Sequence, residues 1–195
     1  MIYVVSLGLL VAVGAWLVSI YHKLNFLRGQ VQDAWLQWSR VTAQRNERLG
    51  YFADAFSSCL PAGAMLPRDL RRLTEDSRLA LSARPYAPLP GGLKGLRETE
   101  LGLRQRMGDS VAVIENNLAM RSNADLVQVC RAVSASLSMQ EKIAKSYDRS
   151  AGDYNNALVG PCARVVAGIF GFAPVAQMYS QALNRAIELG RLPDE

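Results

Sequence analysis

The 195 residues carry 22 Lys and Arg against 17 Asp and Glu, a net charge of +5, and half of them are apolar. A lone histidine, His22, excludes His-rich metal sites and leaves a Ser-His-Asp triad without a credible base. The modest charge, with no aromatics interleaved among the basic residues, argues against nucleic-acid binding.

The first element runs from Ile2 to about Phe56 and reads as one long helix with two jobs. Ile2 to Tyr21 gives twenty residues without a charge, eleven of them Leu, Ile or Val. At about 1.5 Å per residue that length covers the roughly 30 Å hydrocarbon core of a bilayer. Trp16 and Tyr21 sit towards the end of the run, where amphipathic rings favour the interface, and His22, Lys23 and Arg28 follow. Residues 1–21 are therefore expected to be a transmembrane anchor, with Ile2, Trp16, Tyr21, His22 and Lys23 as its membrane and interface residues. The absence of a basic n-region, the length of the apolar run and the lack of a clear cleavage site disfavour a signal peptide. Lys23 and Arg28 bias residues 22–195 to the cytoplasm, giving a single-pass protein of the cell membrane with Met1 outside.

Past the anchor, Leu24, Leu27, Val31, Ala34, Trp38, Val41, Leu49, Phe52 and Phe56 recur at alternating steps of three and four, the seam of a helix packed on other helices. Arg45 interrupts the series and Trp35 widens it. Pro61 and Gly63 end the helix. A second helix is expected over Leu66 to Ala83, with Pro67 in its first turn and Leu70, Leu73, Leu79 and Leu81 as its apolar residues.

Arg84 to Gly92 holds three prolines and two glycines and reads as a loop. A third helix follows over Leu93 to Arg121, with Leu96, Leu103, Met107, Val111, Ile114 and Leu118 in its core series. Ser122, Asn123 and Asp125 supply a turn and cap. The fourth helix, Ala124 to Val159, buries a series from Leu126 through Tyr147 and Tyr154 to Leu158, and Gly160-Pro161 stops it. No strand alternation stands out, so the expected fold is all-α: a single N-terminal transmembrane helix continuing into an antiparallel bundle of about four long helices.

Val165 to Pro174 is apolar but too short to span a bilayer. It reads first as a segment tucked over one end of the bundle. The sharper reading makes Phe170 and Phe172 an interaction surface that meets the membrane or a partner. Pro174 to Glu188 is long enough for a last short helix. Cys59, Cys130 and Cys162 are odd in number and form no C-x-x-C pair, which fits reduced thiols better than a disulfide framework.

Two ends of the chain carry a family pattern. After the anchor comes Leu24-Asn25-Phe-Leu27-Arg28-Gly-Gln-Val31-Gln-Asp-Ala34-Trp35. Late in the chain come Ile143-Ala144, Asp153-Tyr154-Asn155 and Val166-Ala-Gly-Ile-Phe-Gly-Phe172. In that order these segments resemble the LemA family. Ser39 stands where the family usually has an acidic residue after the Trp, and Gly50-Tyr51 stands in place of its Pro-Asn pair, so the resemblance is to a divergent member. It implies a membrane-anchored helical bundle with a short extracytoplasmic N-terminus, and no established enzymatic activity.

Chemistry-bearing constellations are missing from the sequence. Pro90-Gly91-Gly92 with Lys94 is too loose for a phosphate loop, and no Glu-x-x-His of a di-iron bundle occurs. Trp35 and Trp38 at helical spacing read as packing. No enzyme and no cofactor are expected. The expected role is a scaffold or protein-interaction module at the membrane, held to lipid by its anchor and bound to an unidentified protein partner, with homo-oligomerisation left open. The alternative is a peripheral lipid-contacting or membrane-remodelling protein. The nine basic and five acidic residues between Arg68 and Arg106 read as a solvated face.

Overall fold

A computed structural model describes residues 2–61 and 63–179; for residues 2–7, 9 and 10 it describes the backbone alone. Among these residues the chain is helical, with no strand. Helix α1 spans Ile2–Ser58, α2 Met65–Ser82, α3 Lys94–Asn116, α4 Leu118–Ser122, α5 Ala124–Leu158 and α6 Pro161–Phe170.

Helices α1 and α5 form the long axis of the fold and run antiparallel. Cys59 lies beside Asn123 at one end, Thr42 meets Gln140 midway, and Trp35 packs on Tyr147 further along. Helix α2 folds back on α1, with Arg71 paired to Asp54 and Asn46 bonded to Ser77, and α3 returns along α2 through Arg106 and Asp69. At 18 residues α2 is about 27 Å long, against about 52 Å for the 35 residues of α5. Four helices therefore enclose only the half distal to the N-terminus. The proximal half is α1 and α5 walled by the 83–93 loop, by α6 and by an extended segment over residues 172–179.

Two apolar cores follow from this division. The distal core joins Leu49, Phe52 and Phe56 of α1 to Leu70, Leu103, Met107, Leu126 and Val133, with Phe52 and Phe56 stacked. The proximal core joins Leu24, Val31, Trp35 and Trp38 to Ala144, Tyr147, Ala151, Tyr154, Val166 and Phe172. The expected seam holds at Leu24, Val31, Trp38, Leu49, Phe52 and Phe56. Trp35 is fully buried while Ala34 is only half-buried, so the face is turned towards the larger ring.

Local chemistry sets the ends. Gly63 at φ 98° turns the α1–α2 connection, and Asn123 caps α5 by accepting a bond from the Leu126 amide at 3.1 Å. The third helix ends earlier than expected. Asn117 takes an extended conformation and its side chain accepts from the Ala119 and Met120 amides, opening the separate turn α4. Leu118, expected in the core, is consequently thrown outward at 75 % exposure, and Met120 is buried instead. Leu79 is exposed as well, because α2 ends beside it and nothing packs there.

Residues 172–179 form no helix, where one was expected from Pro174; the rest of that expected helix lies outside the described residues. Ile2 is helical in its backbone, and its side chain is outside the description. Among the described residues no helix is long and apolar enough to cross a membrane. Eight of the twenty side chains of the uncharged run fall outside that description.

Candidate functional site

The proximal end gathers most of the residues singled out in the sequence. Helix α1 does not stop where the bundle does. Val11, Ala12, Val13, Trp16 and Val18 project beyond it with no described part of the chain covering them. Leu17, Ile20 and Tyr21 are the first side chains to pack against the proximal core. The Tyr21 ring lies 4.7 Å from that of Phe170, 5.7 Å from that of Phe172 and 5.7 Å from His22. His22 and Lys23 are exposed.

The pair expected as an interaction surface is split. Phe172 is only 8 % exposed, closed over by Tyr21 and by the Arg28 guanidinium 6.0 Å above its ring. Gly171 at φ 68° ends α6 and reverses the chain, and that reversal carries Phe172 inward. Phe170 remains 56 % exposed at the end of the side that carries Ala163 and Val166, while Val165 and Ile169, the latter at 68 %, are exposed on the side turned from the core. Phe172 is thus a core residue and α6 supplies the open surface.

After Phe172 the chain lies as an extended strap across α5, held by Tyr147 and Tyr154, which the three-four series counted as packing, and by Asp148 and Asn155, which lie outside that series. Tyr147 donates to the Ala176 carbonyl at 2.6 Å and Tyr154 to the Ala173 carbonyl at 3.1 Å. Asn155 clamps Val175 from both sides, accepting from its amide and donating to its carbonyl, each at 2.9 Å. Asp148 accepts the amides of Met178 and Tyr179. From the other side the Ala176 amide donates to the Pro88 carbonyl at 2.8 Å. An extended segment has no internal partners for its backbone, so these side chains supply them.

Removing the Asn155 side chain leaves both polar groups of Val175 unpaired. Asn155→Ala is expected to cost about 1–3 kcal/mol and to speed amide exchange over residues 173–178 while leaving exchange in α2 and α3 unchanged.

Burial pushes the Asp148 carboxyl up to about 6, against the opposing pull of the Tyr179 and Met178 amides and Arg97. A carboxyl raised on folding binds its proton more tightly in the folded chain. Its contribution to stability is therefore greatest below the unfolded value of about 3.8 and declines as pH rises through 6. A carbon-detected titration of the Asp148 side chain should place its midpoint near 6; a midpoint near 4 would contradict the degree of burial.

Between the two cores lies a polar layer shared by four helices. Arg45, at 0 % exposure, forks onto Glu100, with Nη2 to Oε1 at 2.8 Å and Nη1 to Oε2. Nη1 also donates to Gln140 Oε1 at 2.8 Å, and Nε and Nη2 donate to Asn46 Oδ1 at 3.2 and 2.6 Å. Ser77 donates to Glu100 Oε1 at 3.0 Å, and Gln140 Nε2 donates to Glu100 Oε2 at 2.8 Å and to Thr42 Oγ1 at 3.1 Å. Burial alone would raise the Glu100 carboxyl; the bonds and charge of Arg45, with Gln140 and Ser77, outweigh it and hold the group below the usual carboxylate range.

No known family model, curated protein or solved structure matches the chain. These comparisons give the LemA resemblance no support. The segments quoted for it converge in space. Leu24, Val31 and Trp35 line the proximal core, the Trp35 indole donates to the Arg84 carbonyl at 3.2 Å, Tyr154 and Asn155 hold the strap, and Phe172 plugs the gap beside Arg28.

Among the described residues no group of His, Cys, Asp and Glu is placed to hold a metal ion. The buried Arg45 layer has its hydrogen bonds satisfied within the fold. A groove of about 890 Å³ between α1 and α2, walled by Glu47, Asp54, Arg71, Glu75 and Arg78, is open to solvent and of mixed charge.

Proposed function

We propose that this chain is a membrane-anchored helical bundle acting as a scaffold or interaction module, in the manner the LemA resemblance implies. The observation that carries the reading is the continuation of α1 past the bundle as an apolar helix whose described side chains are bare. Exposing Val11, Val13, Trp16 and Val18 to water forgoes roughly 1.5–3 kcal/mol for each large side chain that a bilayer would cover. No part of the described chain competes for that role, and the uncharged run has the length of a span.

The reading places the bundle on the cytoplasmic side, because Lys23 and Arg28 follow the run at once. It includes no catalytic step. The α1–α2 groove, with acidic and basic side chains on facing walls, suits a polar partner segment.

Crosslinked pull-down from membranes, comparing the full chain with residues 22–195, tests the proposal. A protein captured reproducibly by both assigns recognition to the bundle. Capture by the full chain alone moves recognition to the anchor or makes it depend on membrane placement. Capture by neither removes the scaffold reading.

A further inference from the structure

We propose that α6 is a second membrane contact, an interfacial helix that seats the bundle directly on the headgroup layer of the bilayer that α1 crosses. The inference rests on the anchor reading above and adds to it a named surface. Helix α6 packs against α1, and Leu17, Ile20 and Tyr21 of the uncharged run join the core to which α6 contributes Ala163 and Val166. Leu17 to Tyr21 is a rise of about 6 Å. A helix docked beside that turn lies at the depth of about 5–10 Å to which interfacial helices sink their apolar face.

The composition of α6 fits the depth. Ala163 and Val166 are buried against the bundle, Phe170 continues their side of the helix beside Tyr21, and Val165 and Ile169 are exposed on the side turned away. The only charge in the helix is the exposed Arg164, and exposed His22 and Lys23 stand on the neighbouring turn of α1. A bare apolar face edged by the cations Arg164 and Lys23, beside the last turn of a span, is matched by a lipid interface containing anionic headgroups. Tyr21 links the two elements, with its ring against Phe170. The consequence is a bundle held by two contacts, with its rotation and tilt fixed relative to the membrane.

The test uses the full chain with Cys59, Cys130 and Cys162 replaced by Ala, in vesicles of phosphatidylcholine with phosphatidylglycerol. A nitroxide is attached in turn at Val13→Cys, Ile169→Cys and Leu118→Cys. Relaxation by oxygen, which concentrates in lipid, is compared with relaxation by a water-soluble nickel chelate. Expected are oxygen-dominated labels at 13 and 169 and a chelate-dominated label at 118, with a several-fold difference in the ratio. A label at 169 as aqueous as that at 118, with 13 still in lipid, overturns this inference and leaves the anchor standing. An aqueous label at 13 overturns both. A label at 169 shielded from both reagents means a protein covers α6, which also overturns the inference. As a second variant, Ile169→Asp is expected to move a Val165→Cys label into water without changing the melting temperature, because Ile169 makes no core contact; an unmoved label counts against lipid.

Discussion

Arg45→Met is expected to lower the unfolding free energy by about 3–5 kcal/mol, a large part of the roughly 5–15 kcal/mol that domains usually have. The substitution keeps the volume and the apolar stem but strands Glu100, Gln140 and Asn46 in the interior. Glu100 then loses its ion-pair partner among the described residues and must either stay charged without it or bind a proton. Replacing both partners, Arg45→Met with Glu100→Met, is expected to recover most of the loss, since a buried pair is often no better than apolar residues of similar size. Arg45→Lys falls between, because an ammonium cannot fork onto both carboxylate oxygens while reaching Asn46. Urea melts of the variants check the order. A cost below about 1 kcal/mol for Arg45→Met would mean that the layer is hydrated rather than closed.

The same layer fixes the acid limb of stability. The Glu100 carboxyl is held below its ordinary value of 4.5, so its contribution is complete above that pH and is lost as pH falls through the lower folded value. The double-methionine variant should lose this portion of the acid-induced decline.

Specificity is the other consequence. A one-turn slip of α1 along α5 would carry Arg45 away from Gln140 and out of the layer it shares with Glu100. The slipped registers are penalised by a buried guanidinium without acceptors.

That layer also marks the limit of what periodicity alone could reveal. Helix existence, the order of elements and most core positions of α1 and α5 follow from three-four spacing, because burial on one face is all that spacing encodes. Arg45 was visible as an interruption between Val41 and Leu49. A charge on a seam demands a partner, and Glu100 stands in the matching gap between Leu96 and Leu103, off which Glu98 lies exposed; only the packing of α3 beside α1 shows that the two interruptions meet.

The strap was invisible for a different reason. Tyr147, Asp148, Tyr154 and Asn155 sit on one side of α5 at helical spacing, which an apolar count credits to packing and a polar count to solvent. Their common target is the backbone of residues 173–179, and backbone acceptors carry no sequence signature. Phe172 was misplaced because the αL turn at Gly171 reverses which face of an apolar run points inward. The lengths of α1, α2 and α5 were legible, but their consequence was not. The short α2 leaves the proximal half with two long helices, and the loop, strap and α6 fill the remainder.

On the anchor reading proposed above, Val11→Arg with Val13→Arg is expected to release the full chain from membranes into the alkali-extractable fraction. Each arginine near the centre of a span costs roughly 2.5–3.5 kcal/mol and forfeits the roughly 0.3–0.6 kcal/mol of the valine it replaces. The pair therefore shifts insertion by about 6–8 kcal/mol. The eleven Leu, Ile and Val residues of the run together supply about 3–7 kcal/mol, so the swing is enough to cancel the insertion drive.

Both positions are exposed and outside the two cores, so the bundle should keep its melting temperature, and this separates loss of anchoring from loss of fold. Arginines at Phe26 and Tyr51, which are exposed on α1 beyond the uncharged run, serve as the control and should leave extraction unchanged. Full membrane retention of the Val11→Arg, Val13→Arg variant would show that the apolar extension of α1 is covered by protein, and the partner would then have to be sought along that helix rather than on the bundle.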